Sequence, residues 1–352
     1  MQYDTISAAE GQRWNAFVNQ HPDAHILQQA EWGMLKSAFG WQHEILAVGQ
    51  DAASPIEAGA LILYRRLPFG LGTMAYIPAG PLLRDDAVNP ANDLLWSAID
   101  GQARRRRAAF LKVEPCNWYR ERPALAAYLA SAGLRISPQT IQPPRTSILA
   151  TGDGEEAVLK RMNQSTRRKV RMADKNGIAV REGTRADVAS FNGLMMQTGD
   201  RDVFGVHAPA YYEKVYDLFA HDGRCALLMA AHEGQDLAGV FALHGGENAY
   251  YFYGASSNEQ RNLMASYIVQ WEAIRWAMAH GARRYDLWGI PDHEETVLEA
   301  EFEDRKGGHD GLWGVYGFKR GFGGHVVRSV GAWDRVYNPL VYRLYTLYLG
   351  RR

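Results

Sequence analysis

Apolar residues recur along this chain with two different periods. Residues 29–40 (QAEWGMLKSAFG) space them as a helix does, whereas 43–49 (HEILAVG) and 59–67 (GALILYRRL) are short Ile/Leu/Val-rich runs that read as strands. Helical spacing returns over 93–110, followed by a strand-like LKVEP at 111–115. The segment 137–145 (SPQTIQPPR), with its three prolines, interrupts the pattern and marks a candidate domain boundary. A second series follows, with helices over 155–175, 186–198 and 209–220 and strands over 225–232, 237–245 and 248–256. It closes with a helix over 265–280, ended by Gly281, and a strand over 283–290 (RRYDLWGI).

The two series have the same coarse order of elements but no residue-level repeat. The pattern predicts a mixed α/β (α+β) chain of two domains, because 352 residues exceed what one core usually organises. With 47% apolar and 22% charged residues, long disorder, collagen and coiled coil are excluded. The longest apolar runs, such as 60–64 and 225–231, fall far short of the roughly 20 residues that span a bilayer. No basic region followed by an apolar stretch opens the chain, so an intracellular protein is expected. Cys116 and Cys225 stand far apart without a CxxC neighbour and read as buried free thiols. His293, Glu294, Glu295, His309 and Asp310 read as an acid-rich loop, and no metal is assigned. The tail 337–352 (YNPLVYRLYTLYLGRR) spaces Leu340, Tyr342, Leu344 and Leu347 near-periodically among Arg343, Arg351 and Arg352. It reads either as a packing helix or as an interfacial helix on anionic lipid.

Charge is balanced overall, with 39 Lys+Arg and 39 Asp+Glu, yet it is unevenly placed. Residues 159–177 hold seven basic side chains and one acid. On a continuous helix, Lys160, Arg161, Arg167, Arg168, Arg171 and Lys175 cover about a third of the circumference. Val158, Met162, Thr166, Val170 and Ala173 form the opposite stripe, which Lys169 interrupts. Stacked like charges cost a helix a few tenths of a kcal/mol per pair. The face is therefore either solvated or meets a phosphate-rich partner, a nucleic acid or a nucleotide-linked substrate. Arg104 to Arg107 point around a full turn and define no face.

Six segments in order, QQAEWGMLK (28–36), YIPAGP (76–81), LKVEP (111–115), RRKVRMADKNGIAV (167–180), YDLWGI (285–290) and YGFKRGFGG (316–324), resemble the Fem (FemABX) family of peptidoglycan interpeptide-bridge transferases. The resemblance runs over nearly the whole chain. It implies two GNAT-like domains in tandem, 1–146 completed by 325–352, and 147–324. It implies an aminoacyltransferase that uses aminoacyl-tRNA as co-substrate, with no other cofactor. The acceptor would be the stem-peptide side-chain amine of a UDP-linked or lipid-linked peptidoglycan precursor, with no role for DNA. The setting would be the cytoplasm, or its face of the membrane with peripheral contact.

By the same resemblance, Lys36 would contact the precursor phosphates, where an ammonium suits a diphosphate. The family's companion arginine is replaced by His207 ahead of Tyr211, which weakens that grip or leaves it to another cation such as Arg201. Glu114 and Tyr253 would lie at the acceptor; alone, they read as a strand-end surface acid and a core aromatic. Phe318 and Lys319 match the pair at the family's reaction centre, where a cation would stabilise the oxyanion of acyl transfer. Taken alone, a lysine in so glycine-rich a stretch reads as a solvated loop residue. Arg167, Arg168 and Arg171 would meet tRNA or precursor phosphates. Two other readings stay open. One is an acyl-CoA N-acyltransferase, disfavoured because Leu263 stands where a pyrophosphate loop needs glycine. The other is a non-catalytic protein that binds tRNA or the precursor.

Overall fold

The computed structural model describes all residues except 8–9, 52–53, 86–88, 119–123, 203–204, 305–310 and 350–352. The chain divides into two compact units, Met1–Pro144 with Arg328–Arg352, and Arg145–Val327.

The first unit combines strands β1 (Gln2–Ile6), β2 (Gln42–Gly49), β3 (Ala58–Arg66), β4 (Thr73–Pro78), β5 (Ala108–Glu114) and β6 (Arg135–Ile136) with helices. These are α1 (Gly11–Gln20), α2 (Ala30–Ala38), α3 (Pro90–Arg105) and α4 (Leu125–Ser131). The central strands β3 and β5 are near-continuous runs of buried residues, as strands covered on both faces must be. Leu46, Ile62, Ile77, Leu95, Ile99 and Val113 belong to one core between the sheet and α3. Helical spacing over 93–110 overstates α3, which ends at Arg105; Ala108, Ala109 and Phe110 already belong to β5. Four consecutive arginines sit at that junction, exposed to water.

The second unit holds β7 (Arg145–Ala150), β8 (Ala179–Glu182), β9 (Cys225–His232), β10 (Gln235–Gly245), β11 (Asn248–Ser256), β12 (Arg284–Gly289) and β13 (His325–Arg328), which borders the unit boundary. Its helices are α5 (Glu155–Arg161), α6 (Gln164–Lys175), α7 (Val188–Asp202), α8 (Pro209–Phe219), α9 (Ala265–Ala279), α10 (Glu295–Asp304) and α11 (Gly311–Lys319). The sheet order is β13-β7-β12-β11-β10-β9-β8, antiparallel except for the parallel β11–β12 pair among the registers described. α9 and α6 cover one face, burying Val170, Val269, Ile274 and Leu287 together. Cys116 and Cys225 are both free and buried.

The predicted helix 155–175 is two helices. Met162 and Asn163 adopt extended backbone, and the Asn163 side chain accepts from Thr166 N at 2.8 Å to cap α6. The apolar stripe survives the break: Val158, Met162, Thr166, Val170 and Ala173 are all buried. Lys169, the misfit of that stripe, lies 4.4 Å over the Tyr267 ring and donates to its hydroxyl at 2.8 Å.

After β13 the chain returns to the first unit through β14 (Trp333–Val336) and α12 (Pro339–Leu349). β14 inserts between β5 and β6, giving the sheet order β1-β2-β3-β4-β5-β14-β6. The register sets Asp334 opposite Lys112, and their buried side chains form an ion pair at 2.9 Å. Tyr342 of α12 donates to the other Asp334 oxygen at 2.7 Å, while Lys112 also donates to Gln139 O at 2.8 Å. Removing one partner strands a charge without water, which typically costs about 3–5 kcal/mol. Lys112→Met and Asp334→Leu should each lower unfolding free energy by that order in urea titrations, and the double variant should recover much of the loss. Losses that simply add in the double variant would show that the pair itself contributes little.

Candidate functional site

Lys319 lies where β12 ends. It is the last residue of α11, and a single 3-10 turn, Arg320–Phe322, follows it. Reading it as a solvated loop residue is therefore wrong: it is only 5% exposed. The glycines around it serve packing. A Cβ at Gly321 would collide with Thr166 Oγ1, and Gly323, at φ +82°, abuts the Arg161 carbonyl. Asn163 N donates to Gly321 O at 3.0 Å, so the turn seats in the break between α5 and α6. Tyr316 and Arg320 bind the Glu299 carboxylate from the other side, fixing α11 on α10.

The Lys319 ammonium donates to Gly289 O at 2.7 Å and to Trp288 O at 3.3 Å, and lies 5.7 Å from the centre of the Tyr251 ring. Its third N–H has no hydrogen-bond acceptor among the described residues. Those carbonyls face it because Trp288 takes a left-handed backbone, φ +62°, which a bulky residue rarely adopts. Asp286 supports that turn by accepting from Trp288 N at 2.7 Å and from the Thr146 hydroxyl. Its other carboxylate oxygen is buried without a hydrogen bond among the described residues.

Burial without full compensation shifts both groups. Loss of water pulls Lys319 down to about 7, opposed by the Asp286 charge. The same loss raises Asp286 to about 6, opposed by its hydrogen bonds and by Lys319. A lysine that titrates near neutrality can serve as proton donor, proton acceptor or hydrogen-bond donor to a forming oxyanion. Asp286, Thr146 and Trp288 were not singled out as functional from the sequence. The available signal was an acid between Tyr285 and Leu287 in a strand, where a buried carboxylate needs a partner.

Phe318 packs its ring 5.1 Å from both Tyr267 and Phe322, so it supports the turn that carries Lys319. Tyr253, Tyr211 and His207 come together. The His207 ring stacks on Tyr211 at 3.8 Å, and the Tyr253 hydroxyl donates to that of Tyr211 at 3.3 Å. Burial holds the Tyr211 hydroxyl up at about 12 and pushes that of Tyr253 well above its usual value, so both stay neutral donors. Arg201 cannot stand in freely for the missing arginine: it is held by Asp202 at 2.9 Å and Asn258 at 2.9 Å.

Glu114 is a buried acceptor, contrary to its reading as a strand-end surface acid. It takes hydrogen bonds from the Tyr76 hydroxyl (2.5 Å), Ile141 N (2.5 Å) and Gln142 N (3.0 Å), pinning the proline-rich segment to β5. Burial raises its pKa despite these donors. Lys36, in the first unit, lies 4.6 Å from the Trp32 ring, and burial together with the nearby Arg65 charge brings it down to about 8. A half-buried lysine beside an exposed arginine suits an anion.

The six-residue basic face does not form. Arg161 pairs with Asp153, and Arg167 donates to the Leu159, Lys160 and Met162 carbonyls, a cationic cap on α5. Exposed on α6 remain Arg168, Arg171 and Lys175, spaced three and four residues apart on one face. Glu294 and Asp292 bracket the Arg145 guanidinium, whereas His309 and Asp310 lie outside the described residues.

The site is thus a buried lysine at the end of a strand in the second of two α/β units. The chain belongs to the FemAB family, whose profile it matches over residues 10–232 and 225–349. It is 26% identical to the lipid II:glycine glycyltransferase of Staphylococcus saprophyticus, over 95% of this chain and 93% of that protein. The enzyme of the same name from Staphylococcus aureus USA300 is 25% identical, with the same coverage. The crystal structure of FemX superposes with a TM-score of 0.85 at 23% identity, covering 98% of this chain and 99% of that one. A tandem GNAT protein from the clavulanic acid pathway gives 0.57 at 12% identity, covering 96% and 99%.

The burial of Lys319 has a measurable signature in stability. Its folded pKa of about 7 lies below the ordinary 10.5, so the unfolded chain binds more protons between those values. The cost of burying the charge is complete below about pH 7 and is relieved as pH rises towards 10. Asp286, raised from 3.8 to about 6, acts in a lower and separate window. Wild type should therefore gain stability relative to Lys319→Met as pH climbs from 7 to 10 in denaturant titrations. A flat difference across that range would mean that the ammonium is solvated.

Proposed function

We propose that this protein is an aminoacyltransferase of peptidoglycan bridge formation. It moves an amino acid from aminoacyl-tRNA to the stem-peptide side-chain amine of a lipid-linked precursor. The observation that carries this reading is the Lys319 ammonium, buried at the end of β12 with one N–H unengaged among the described residues, in a member of a family whose named relatives are glycyltransferases. In the transfer, the acceptor nitrogen bonds to the ester carbonyl carbon, and the carbonyl oxygen takes up negative charge. That charge collapses as the bond to the ribose oxygen breaks, and the proton lost by the amine leaves with the ribose hydroxyl. Lys319 donates its third N–H to the oxyanion from a fixed position, at little reorganisation cost. A pKa near 7 also lets it pass a proton to the leaving oxygen.

The other residues take supporting parts. Lys36, aided by Arg65, binds the precursor diphosphate, and the neutral Tyr211 and Tyr253 hydroxyls line the acceptor site beside His207. Glu114 acts through the segment it pins. The exposed face of α6 tracks tRNA phosphates through Arg168, Arg171 and Lys175, while Arg167 belongs to the scaffold.

Two measurements test these assignments. Purified protein incubated with charged tRNAs and a lipid-linked pentapeptide should yield an acceptor heavier by one or more aminoacyl groups in mass spectrometry, and acyl-CoAs should yield none. Lys319→Met should cut turnover about 100- to 1,000-fold with substrate affinities nearly unchanged. Retention of a third of wild-type turnover would remove the lysine from the mechanism. Separately, replacing Arg168, Arg171 and Lys175 with Gln should flatten the log–log salt dependence of tRNA binding by roughly two to three units. Arg167→Gln should leave that slope alone and instead destabilise the fold by about 1 kcal/mol. The opposite pattern would place the tRNA elsewhere.

A further inference from the structure

Helix α12 is apolar on two sides. Its inner face, Val341, Tyr342 and Tyr345, packs on the first unit, with the Tyr345 ring 4.8 Å from that of Phe110. Its outer face presents Leu340, Leu344 and Leu347, spaced four and three residues apart and 69%, 49% and 55% exposed. A soluble helix ordinarily turns polar residues outward, so an uncovered leucine stripe implies an apolar occupant.

A second exposed apolar feature lies at the same end of the sheet. The β3–β4 hairpin carries Phe69 at its tip, 98% exposed and in a left-handed backbone, φ +57°. Exposure and backbone strain both cost free energy. The hairpin adjoins the arginine turn after α3: Thr73 N donates to Arg107 O at 3.0 Å and its hydroxyl to Arg106 O at 2.9 Å. It adjoins α12 as well, since Tyr345 donates to the sulfur of Met74, the residue paired with Arg65. The Arg104 guanidinium lies 5.7 Å from the ring of Tyr337, just ahead of α12.

Charge decides the occupant. Of the arginines at this end, Arg106 pairs with Glu44 at 3.3 Å. Arg65, Arg66, Arg104, Arg105 and Arg107 are exposed and have no carboxylate partner among the described residues. A protruding aromatic, a leucine stripe and exposed guanidinium groups without a carboxylate partner among the described residues, all at one end of the first unit, match the layered chemistry of an anionic bilayer. Apolar groups enter the acyl boundary there while cations stay at the phosphates.

We infer that the end of the first unit formed by the Phe69 hairpin, the Arg104–Arg107 turn and the outer face of α12 docks on an anionic phospholipid bilayer. The inference does not depend on the transferase reading, because it concerns vesicles without any acceptor. Together with that reading, it brings Arg65, the neighbour of Lys36, to the level of the phosphates.

The test is flotation of the full chain with vesicles of phosphatidylcholine alone and of phosphatidylcholine with phosphatidylglycerol. Binding is expected only to the anionic vesicles and should weaken as salt rises. Arg104→Gln and Arg105→Gln should each lower the partition coefficient about fivefold, and Leu344→Ser with Leu347→Ser or Phe69→Ser should lower it further. Phe69 lies outside the core, so Phe69→Trp should fold normally and show an added blue-shifted emission on anionic vesicles. No binding at low salt, or variants that bind like wild type, would overturn the inference. So would a dimer in sedimentation that the leucine substitutions dissociate without any vesicle binding, which would assign the stripe to a second copy.

Discussion

A lysine ammonium taken out of water at the end of a strand is the constraint around which the second unit is arranged. Desolvating such a charge costs several kcal/mol unless other groups replace the lost water. Here the replacements are two carbonyls of β12, a tyrosine face and the field of Asp286. Each needs further support. The carbonyls depend on the left-handed Trp288, which depends on the Asp286 carboxylate, which is held by Thr146 of the neighbouring strand. Compensation is incomplete, and the consequence is a lysine that titrates near neutral pH rather than near 10.5. Incomplete solvation is thus the physical origin of the chemistry proposed for it.

The first unit rests on a different solution to the same problem. Lys112 and Asp334 are as deeply buried as Lys319, yet they meet each other directly across adjacent strands. Their contact joins residues separated by most of the chain and places β14 within the sheet rather than at its edge. A paired charge fixes strand register; a half-compensated one remains available for reaction. The contrast explains why one lysine reads as architecture and the other as a site.

Periodicity made much of the fold legible. The runs at 225–232 and 248–256 coincide with β9 and β11, and the stripe Val158, Met162, Thr166, Val170 and Ala173 is buried as its spacing predicts. Periodicity could not show that this stripe crosses two helices, because a break that preserves the buried face leaves the apolar spacing nearly intact. The cue was local: Asn163 three residues before Thr166, a capping arrangement. Boundaries also slipped where composition was ambiguous, as at Ala108–Phe110, which suit a helix or a strand and are decided by pairing with β4 and β14.

The class of architecture and the short list of residue types able to do chemistry were legible in the chain alone. Those follow from hydrophobic period, chain length and the ordered motifs, all properties of neighbouring residues. The tertiary structure alone decided which of those residues are burdened by burial. Glu114 became a scaffold acceptor, Arg167 a helix cap, and Lys319 a buried ammonium at the end of β12. Solvent exposure and electrostatic partners are set by segments far apart in sequence: 114 with 141, 145–146 with 286–292, 288 with 319. A charge acquires an unusual pKa through those distant neighbours, and a one-dimensional pattern does not contain them.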